Sequence, residues 1–375
     1  MWKSSIDWAS FGAALALALF GLVTMSTFVS DDPFFLKQTA WIALGVITFF
    51  AASQVDWRIL RRPGVAGIIY ILVLVPLVTL IAIGQATQGA KSWFDLGPFA
   101  LQPVEFVKLA LIITLAKYFS RRHTEIRNIR HILISGAYAG VVFVLVALQP
   151  DFGSALIILA IWLGMVLISG ISKWHLASLF LVGLVAFSGL WLFGFREYQK
   201  ERILTFLHPL ADIHGAGYNA YQSTVAVGSG EIIGKGIGYG SQSKLRFLPE
   251  YQTDFIFAAF AEEWGFIGVC IIFGLYGVLF VRIVSAASRG ATNFETLFGY
   301  GIAFYFFAHF ALHVGINLGL LPVTGTTIPF MSYGGSHILI EFLSLGMLSG
   351  MRRYGRAAPR EALHKEFSGS YDALQ

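Results

Sequence analysis

The sequence predicts an all-α polytopic membrane protein with about ten transmembrane helices, both termini in the cytoplasm and one long external loop between helices 7 and 8. Of the 375 residues, 56% are hydrophobic and 13% are charged, whereas a soluble globular domain is about a quarter charged. Apolar runs of about 18 residues or more, long enough to cross a bilayer, recur along the chain. This composition excludes a soluble globule.

The predicted spans follow the apolar runs in chain order. The first run begins at Trp8, is too long for a secretory signal peptide and lacks a clear small-residue cleavage site, so we expect it to be retained. The single cysteine, Cys270, lies inside an apolar run, which excludes a disulfide framework. The predicted spans cover residues 8–29, 38–55, 64–84, 103–120, 131–148, 152–170, 174–195, 255–281, 298–320 and 328–350.

The distribution of lysine and arginine predicts the orientation. Short loops rich in these residues are retained in the cytoplasm. With both termini inside, the short external loops carry only Lys37 and Lys91. We expect residues 1–350 to form one transmembrane domain and residues 351–375 a basic cytoplasmic tail. The predicted cytoplasmic basic residues are Lys3, Arg58, Arg61, Arg62, Lys117, Arg121, Arg122, Arg127, Arg130, Lys173, Arg282, Arg289, Arg352, Arg353, Arg356, Arg360 and Lys365.

The external loop, residues 196–254, is far longer than the other connections, and loops of that length are usually functional or disordered. Its six basic and six acidic residues balance, and its many aromatic residues argue against a solvated linker. The spacing of Tyr218, Tyr221 and Val225 predicts a short helix on the outer leaflet. The loop glycines do not form G-x-G-x-x-G, so backbone flexibility explains them better than a dinucleotide site.

Ionisable side chains inside a span are costly and are therefore functional candidates. Glu105 and Lys108 are three residues apart in the fourth span, on one helix face near its outer end. The alternative interpretation is an ion pair that only orients the helix. Because two apolar residues would cross the membrane at lower cost, we favour a functional role.

Two aspartates lie at the same predicted depth as this pair. Asp151 stands at the turn between spans five and six, and Asp254 stands where the long loop meets span eight. Either would serve as a helix cap, because a carboxylate near a helix start accepts hydrogen bonds from free backbone N–H groups. The depth shared with Glu105 and Lys108 favours a common site at the external surface.

The residues after Asp254 also carry two glutamates. The run from Trp264 to Val281 is already 18 uncharged residues long. The segment from Asp254 to Glu263 is therefore interpreted as a shallow interfacial helix. In that position Glu262 and Glu263 would be hydrated.

His309, His313 and Asn317 recur at every fourth residue of span nine and share one helix face. Such a stripe can ligate a metal, but no third strong ligand is evident nearby. Because interhelical hydrogen bonds commonly use these residue types, we expect a helix-packing role.

Several long motifs occur in order along nearly the whole chain. They are QPVEFVKLA, QPDFG, YQKERILTFLHPLADIHGAGYNAYQSTVAVGSG, GKG, SQSKLRFLPEYQTDFIFAAFAEEWG and LLPVTGTTIPFMSYGGS. Together they resemble the SEDS (FtsW/RodA/SpoVE) family of bacterial cell-wall polymerases. The form GSQSKLRFLPE looks more like the rod-shape (RodA) branch than the division (FtsW) branch.

The resemblance implies a multi-pass enzyme of the bacterial cytoplasmic (inner) membrane. It would polymerise lipid II into glycan strands of peptidoglycan outside that membrane during elongation and rod-shape maintenance. Implied partners are lipid II, the nascent glycan strand, a class B penicillin-binding protein that cross-links the strand, and other elongation-complex membrane proteins. No nucleic acid is expected.

The family's functional positions can be placed on this sequence. Its essential aspartate falls on Asp254, its fourth-helix charged pair on Glu105 and Lys108, and its QPD aspartate on Asp151. Expected substrate-binding residues are Glu105, Lys108, Asp151, Arg202, Gln222, Lys244, Arg246, Glu250 and Ser332.

Three residues depart from the family pattern. Glu231 stands where the loop usually continues the glycine run, His337 where a second serine often follows YGGS, and His313 where asparagine is usual. None replaces the aspartate or the charged pair. The departures therefore bear on loop detail and leave the expected activity in place.

The implied chemistry agrees with these residues. A glycan hydroxyl must attack the anomeric carbon of a sugar that carries a polyprenyl diphosphate, and a positioned carboxylate must take its proton. We assign that role to Asp254, which as an exposed aspartate would be ionised near neutral pH. Lys108, Arg202, Lys244 and Arg246 are the cations available to the departing diphosphate. If a divalent metal takes part, carboxylates suit Mg²⁺ or Mn²⁺, and Asp254 would be a ligand instead of a base.

Two other functions are weighed against this one. A flippase for lipid-linked peptidoglycan precursors is the alternative, because intramembrane charges also mark transport paths. A flippase would move lipid without making polymer, and its charges should continue to the inner half of the membrane. A non-enzymatic scaffold for other cell-wall proteins is the third interpretation.

Overall fold

A computed structural model describes residues 6–26, 34–83, 92–95, 100–121, 129–195, 197–208, 217–245, 247–248 and 250–356. The helices are α1 (Trp8–Ser26), α2 (Phe34–Gln54), α3 (Val65–Ile83), α4 (Pro103–Ser120), α5 (Ile129–Leu148), α6 (Phe152–Ile168), α7 (Lys173–Gly189), α8 (Glu197–Leu207), α9 (Tyr218–Ser229), α10 (Ser241–Lys244), α11 (Ile256–Ser288), α12 (Asn293–Asn317) and α13 (Gly335–Arg356). An antiparallel hairpin of β1 (Phe94–Asp95) and β2 (Ala100–Leu101) precedes α4, a 3₁₀ turn (Trp57–Arg61) precedes α3, and a π-helical turn (Leu190–Gly194) extends α7.

The long helices, α1–α7 and α11–α13, coincide one by one with the predicted spans. In the described part of the chain, seven helices are long and apolar enough to cross a membrane by length and composition. Of the other three long helices, α6 has 17 residues, and α4 and α13 carry charged side chains. The chain is a multi-pass α-helical membrane protein, while the number of crossings and the side of the termini stay predictions.

The last long helix begins later than predicted, at Gly335 instead of residue 328. Residues 322–334 form an irregular connection in which Gly325 (φ +72°) and Phe330 (φ +64°) adopt the left-handed region. A right-handed helix does not continue through such positions. The apolar run therefore contributes its first part to the connection and only its second part to α13.

Nearly all of α4 is buried, because α3, α5, α6, α12 and α13 pack around it. By contrast, α7 has no buried residue and lies at the edge of the bundle. The helix predicted within the external loop is present as α9. Its buried face, with Ser223 and Ala226, contacts α11 and α12 instead of lipid. Small side chains of this loop helix thus pack against the bundle.

The long helix α11 is interrupted at Gly265, whose φ of +65° strains any residue with a side chain. The backbone of the external loop takes up hydrogen bonds at the break. Phe266 N donates to Glu231 O at 2.9 Å, and Gly236 N donates to Glu263 O at 3.0 Å. The loop is therefore docked into the helix through main-chain contacts.

Glu262 and Glu263 are buried, so the prediction that they are hydrated is wrong. Glu262 Oε1 accepts from Lys235 Nζ at 2.7 Å, and Glu263 Oε1 accepts from Gly238 N at 3.0 Å. The loop covers both glutamates and provides their hydrogen-bond donors, which hydropathy along one helix does not report.

Candidate active site

Asp254 ends the external loop in a tight turn just before α11. The turn includes Glu250, whose φ is +50°, and Asp254 N donates to Glu250 O at 3.0 Å. The first turn of α11 is capped from α12, because Ala258 N donates to Asn317 Oδ1 at 3.1 Å. Asn317 Nδ2 also donates to Asp254 O at 2.9 Å. The helix-cap interpretation of Asp254 is therefore wrong, because Phe255 occupies the N-cap position and its own side chain forms no capping hydrogen bond.

Ser332 supports this turn from the connection between α12 and α13. It is fully buried, and its hydroxyl donates to Thr253 O at 2.8 Å and accepts from Ile328 N at 3.0 Å. The structure thus uses the Ser332 hydroxyl to hold the backbone of the turn.

The connection 322–334 also contacts Asp254 and the start of α6. A side-chain carbon at Gly325 would lie 3.4 Å from Asp254 Oδ2, so this carboxylate packs against the glycine. A side-chain carbon at Gly153, near the start of α6, would meet the backbone of the connection at 2.9 Å. Asp254 and the start of α6, which follows Asp151, therefore pack against one segment at the same end of the bundle.

The polar stripe on α12 holds that connection in place. His309 Nδ1 lies 3.1 Å from Thr327 O, and His313 Nδ1 lies 2.7 Å from Thr326 O. These contacts, with those of Asn317, agree with the predicted packing role.

Asp151 caps α6, one of the two roles that the sequence left open. Its Oδ1 accepts from Ser154 N at 3.0 Å, and Gln102 Nε2 donates to its Oδ2 at 3.4 Å. Burial raises the pKa of Asp151, and the positive charge of Lys108 opposes that rise. Asp151 is thus a cap whose charge is also coupled to the fourth-helix pair.

Asp254 is half-buried, which corrects the expectation of an exposed aspartate. Burial raises the pKa of its carboxyl to about 7, the negative charges of Glu250 and Asp151 act in the same direction, and the positive charge of Arg202 opposes them. These charges form the electrostatic surroundings of Asp254.

The fourth-helix pair is formed and fully enclosed. Lys108 Nζ lies 2.8 Å from Glu105 Oε1 and 3.2 Å from His309 Nε2. Tyr305 OH donates to Glu105 Oε2 at 3.1 Å. Because Glu105 and Lys108 are 3% and 0% exposed, neither is open to solvent in this structure.

Two partners of this pair were missed in the sequence. His337 Nδ1 lies 3.1 Å from Glu105 Oε2, and His337 Nε2 lies 2.8 Å from Glu341 Oε1. In the sequence, His337 stands out only as a departure from the family pattern. Its spacing of four residues from Glu341 on one helix was the available signal.

Glu105, His309 and His337 also carry metal-ligand atoms within 4.8 Å of one another, a group that includes only His309 of the α12 stripe. The Lys108 ammonium, however, contacts Glu105 and His309 as a bound cation would. Two imidazoles also suit Zn²⁺ better than Mg²⁺ or Mn²⁺. This cluster does not fit the metals considered for the reaction.

The other expected substrate residues are spread around the external loop. Arg202 is exposed on α8, and Gln222 is half-buried on α9. Glu250 is half-buried, and its Oε2 accepts from Thr253 Oγ1 at 3.2 Å. Arg246 and the side chain of Lys244 lie outside the described part of the structure.

Known proteins resemble this chain over nearly its whole length. Peptidoglycan glycosyltransferase MrdB of Escherichia coli K12 is 34% identical over 342 residues, which cover 91% of each chain. Probable peptidoglycan glycosyltransferase FtsW of Haemophilus influenzae is 36% identical over 363 residues, covering 91% of this chain and 89% of the relative.

A solved structure has the same fold. It is described as "Structural coordination of polymerization and crosslinking by a peptidoglycan synthase complex", is 30% identical, and aligns with a TM-score of 0.81 over 94% of this chain and 99% of its own. The family model described as "Cell cycle protein" (FtsW/RodA/SpoVE) matches residues 5–357. With the ordered motifs and the shared fold, this match shows that the chain belongs to the FtsW/RodA/SpoVE, or SEDS, family of membrane proteins.

Proposed function

We propose that this protein is a peptidoglycan glycosyltransferase that polymerises lipid II into glycan strands on the outer face of the bacterial cytoplasmic membrane, during elongation and rod-shape maintenance. Relatives that match nearly the whole chain carry the name of that activity. The motif GSQSKLRFLPE, typical of the rod-shape branch, supports the assignment to elongation.

Asp254 is the proton acceptor in this proposal. The acceptor hydroxyl forms a bond to the anomeric carbon of the donor sugar, the bond from that carbon to the polyprenyl diphosphate breaks, and Asp254 takes the hydroxyl proton. The surroundings of Asp254 carry this assignment. Asp254 is half-buried, does not cap α11, and has a pKa raised to about 7, which suits a general base near neutral pH.

Positive charge near Asp254 would stabilise the departing diphosphate. Arg202 is exposed, and its charge acts on Asp254. Lys108 is buried, and its positive charge acts to lower the pKa of Asp151. We assign direct contact with the diphosphate to Arg202 and a longer-range electrostatic effect to Lys108 and Asp151.

A class B penicillin-binding protein is the proposed partner. Support comes from the similar chain described within a peptidoglycan synthase complex that coordinates polymerization and crosslinking. The activity assay therefore uses the protein together with such a partner.

Polymerisation of lipid II by the purified complex tests the proposal. Asp254→Asn should lower polymer formation by about a thousandfold or more, because the amide cannot take the proton. Glu197→Gln, an exposed acid of the same loop, is the matched control and should retain activity.

Full activity of Asp254→Asn would remove this residue from the mechanism. Transfer of labelled lipid II between leaflets without polymer would favour the flippase. Loss of wild-type activity on removal of divalent metal, restored by Mn²⁺ or Mg²⁺, would make Asp254 a candidate metal ligand instead of a base.

A further inference from the structure

Four ionisable side chains form an unbroken row inside the bundle. In order, they are Lys108, Glu105, His337 and Glu341, from α4 and α13, and each is at most 3% exposed. Successive contacts measure 2.8 Å (Lys108 to Glu105), 3.1 Å (Glu105 to His337) and 2.8 Å (His337 to Glu341). The row extends the fourth-helix pair by a second pair on another helix.

The contacts of His337 suit an imidazolium between two ionised carboxylates. Each ring nitrogen faces a carboxylate oxygen, Nδ1 that of Glu105 and Nε2 that of Glu341. A neutral imidazole carries one N–H, so one lone pair would face a carboxylate without a proton between them. The Nε2 contact is an ion pair without a well-aligned hydrogen bond. With His337 protonated, the four charges sum to zero.

The neighbouring groups agree with these charges. Tyr305 OH donates to Glu105 Oε2 at 3.1 Å, and Phe330 N donates to Glu341 Oε2 at 2.8 Å. His309, whose Nδ1 donates to Thr327 O, presents Nε2 as an acceptor to Lys108. Both carboxylates are thus solvated by donors, and Lys108 is held by two acceptors.

We propose that His337 is a positioning residue for Lys108, acting through Glu105, and that Glu341 is its charge partner. The inference rests on the proposed function, in which the charge of Lys108 acts at Asp151 beside the reacting groups. His337 occupies Oε2 of Glu105 and so leaves Oε1 facing Lys108. Without the imidazolium, two buried carboxylates face each other, and their repulsion displaces Glu105 and the ammonium that it holds.

Polymerisation of lipid II by the complex at pH 8 tests this role with four variants. The variants are His337→Gln, Glu341→Gln, the double variant His337→Gln/Glu341→Gln, and His131→Gln as a matched control. His131 is a buried histidine in α5, where its Nδ1 lies 2.8 Å from Tyr118 OH. Rates, KM values and melting temperatures are measured for each.

His337→Gln should lower kcat about tenfold or more and leave KM within about twofold, because His337 touches no substrate. The double variant removes both charges and should recover to within about threefold of the wild-type kcat. The control His131→Gln should keep the wild-type kcat.

Wild-type kcat in His337→Gln would overturn the inference. A double variant at least as impaired as His337→Gln would also overturn it, because the proposed charge compensation requires removal of the Glu341 charge to restore activity. If His337→Gln does not fold, the double variant still tests the role of His337. Charge compensation requires the double variant to fold and to polymerise lipid II. Absence of polymer in the wild type would instead overturn the proposed function, and the role of His337 with it.

Discussion

At the scale of single residues, the surroundings of Asp254 set its chemistry. An ordinary aspartate is a weak base at neutral pH, because the pKa of its carboxyl is about 4. Half-burial and the neighbouring charges of Glu250 and Asp151 raise the pKa of Asp254 to about 7. The same aspartate in open solvent would take a proton from a sugar hydroxyl less readily.

This raised pKa predicts the pH dependence of polymerisation. A base with a folded-state pKa of about 7 is protonated and inactive below that value and active above it. We expect kcat/KM to rise between pH 5 and 8 and to reach about one tenth of its plateau at pH 6. Initial rates with saturating partner protein measure the profile. A plateau extending down to pH 5 would contradict the assignment.

The same raised pKa makes the stability of the fold decrease with pH, whereas it makes the activity increase. Below about pH 4 the group is protonated in both the folded and the unfolded state, so it contributes nothing to the pH dependence there. Between that value and about 7, the unfolded state loses its proton first. Asp254 therefore makes folding less favourable as pH rises through this window, and the active ionised form is the less stable one.

Glu231 shows how one departure from the family pattern acts on the backbone. Its φ is +46°, in the region where glycine is favoured over other residues. We expect Glu231→Gly to raise the free energy of unfolding by about 1 kcal/mol, because the strain of a left-handed residue exceeds the extra chain entropy of glycine. Thermal unfolding in detergent measures the change, and Glu231→Ala, which keeps the side-chain carbon, should show no such gain.

At the scale of elements, the connection between α12 and α13 organises the site. Its backbone is held by the α12 histidines, and its side chains and glycines contact the turn before Asp254 and the start of α6. The first residues of the predicted tenth span, 328–334, belong to this connection instead of to α13. A segment that a hydropathy profile assigns to the membrane thus packs against both Asp254 and the start of α6.

Substitution at Gly153 tests this arrangement. A side-chain carbon there would lie 2.5 Å from Thr326 Cγ2 and 2.9 Å from Thr324 O, so the connection must shift. We expect Gly153→Ala to destabilise by about 1–3 kcal/mol and to lower kcat. Gly140→Ala in α5, where a side-chain carbon meets nothing within 4 Å, is the control and should change neither quantity measurably. Equal behaviour of the two variants would contradict this role of the connection.

At the scale of the whole molecule, one carboxylate near the start of the chain ties distant helices together. Asp7 Oδ2 lies 2.8 Å from Arg282 Nη2 of α11 and 3.1 Å from Arg352 Nη1 of α13, and Asp7 Oδ1 accepts from Ser10 N at 3.3 Å. The contacts lie at the end of α11 remote from Asp254. They join the first helix to the two helices that flank the connection and α12.

Loss of this carboxylate should loosen the bundle as a whole. We expect Asp7→Asn to lower the free energy of unfolding by about 1–2 kcal/mol, since charged hydrogen bonds to two partly exposed arginines are weakened together. Asp56 forms an exposed ion pair with Arg58. Asp56→Asn should therefore lower the free energy of unfolding by less than about half as much as Asp7→Asn. Comparison of the two melting temperatures checks the prediction, and an equal loss would contradict it.

The sequence by itself determined the helical membrane fold and the family, and it singled out Asp254 as a candidate, because hydropathy, basic-residue distribution and ordered motifs are properties of consecutive residues. Only the tertiary structure decided which charges meet. Glu105 and His337 are separated by 232 positions, and Glu262 is buried by a loop that precedes it. Such contacts depend on how helices pack, and no periodicity along the chain encodes a distance across the bundle. The same packing half-buries Asp254 and raises its pKa, the property on which its proposed role as a base depends.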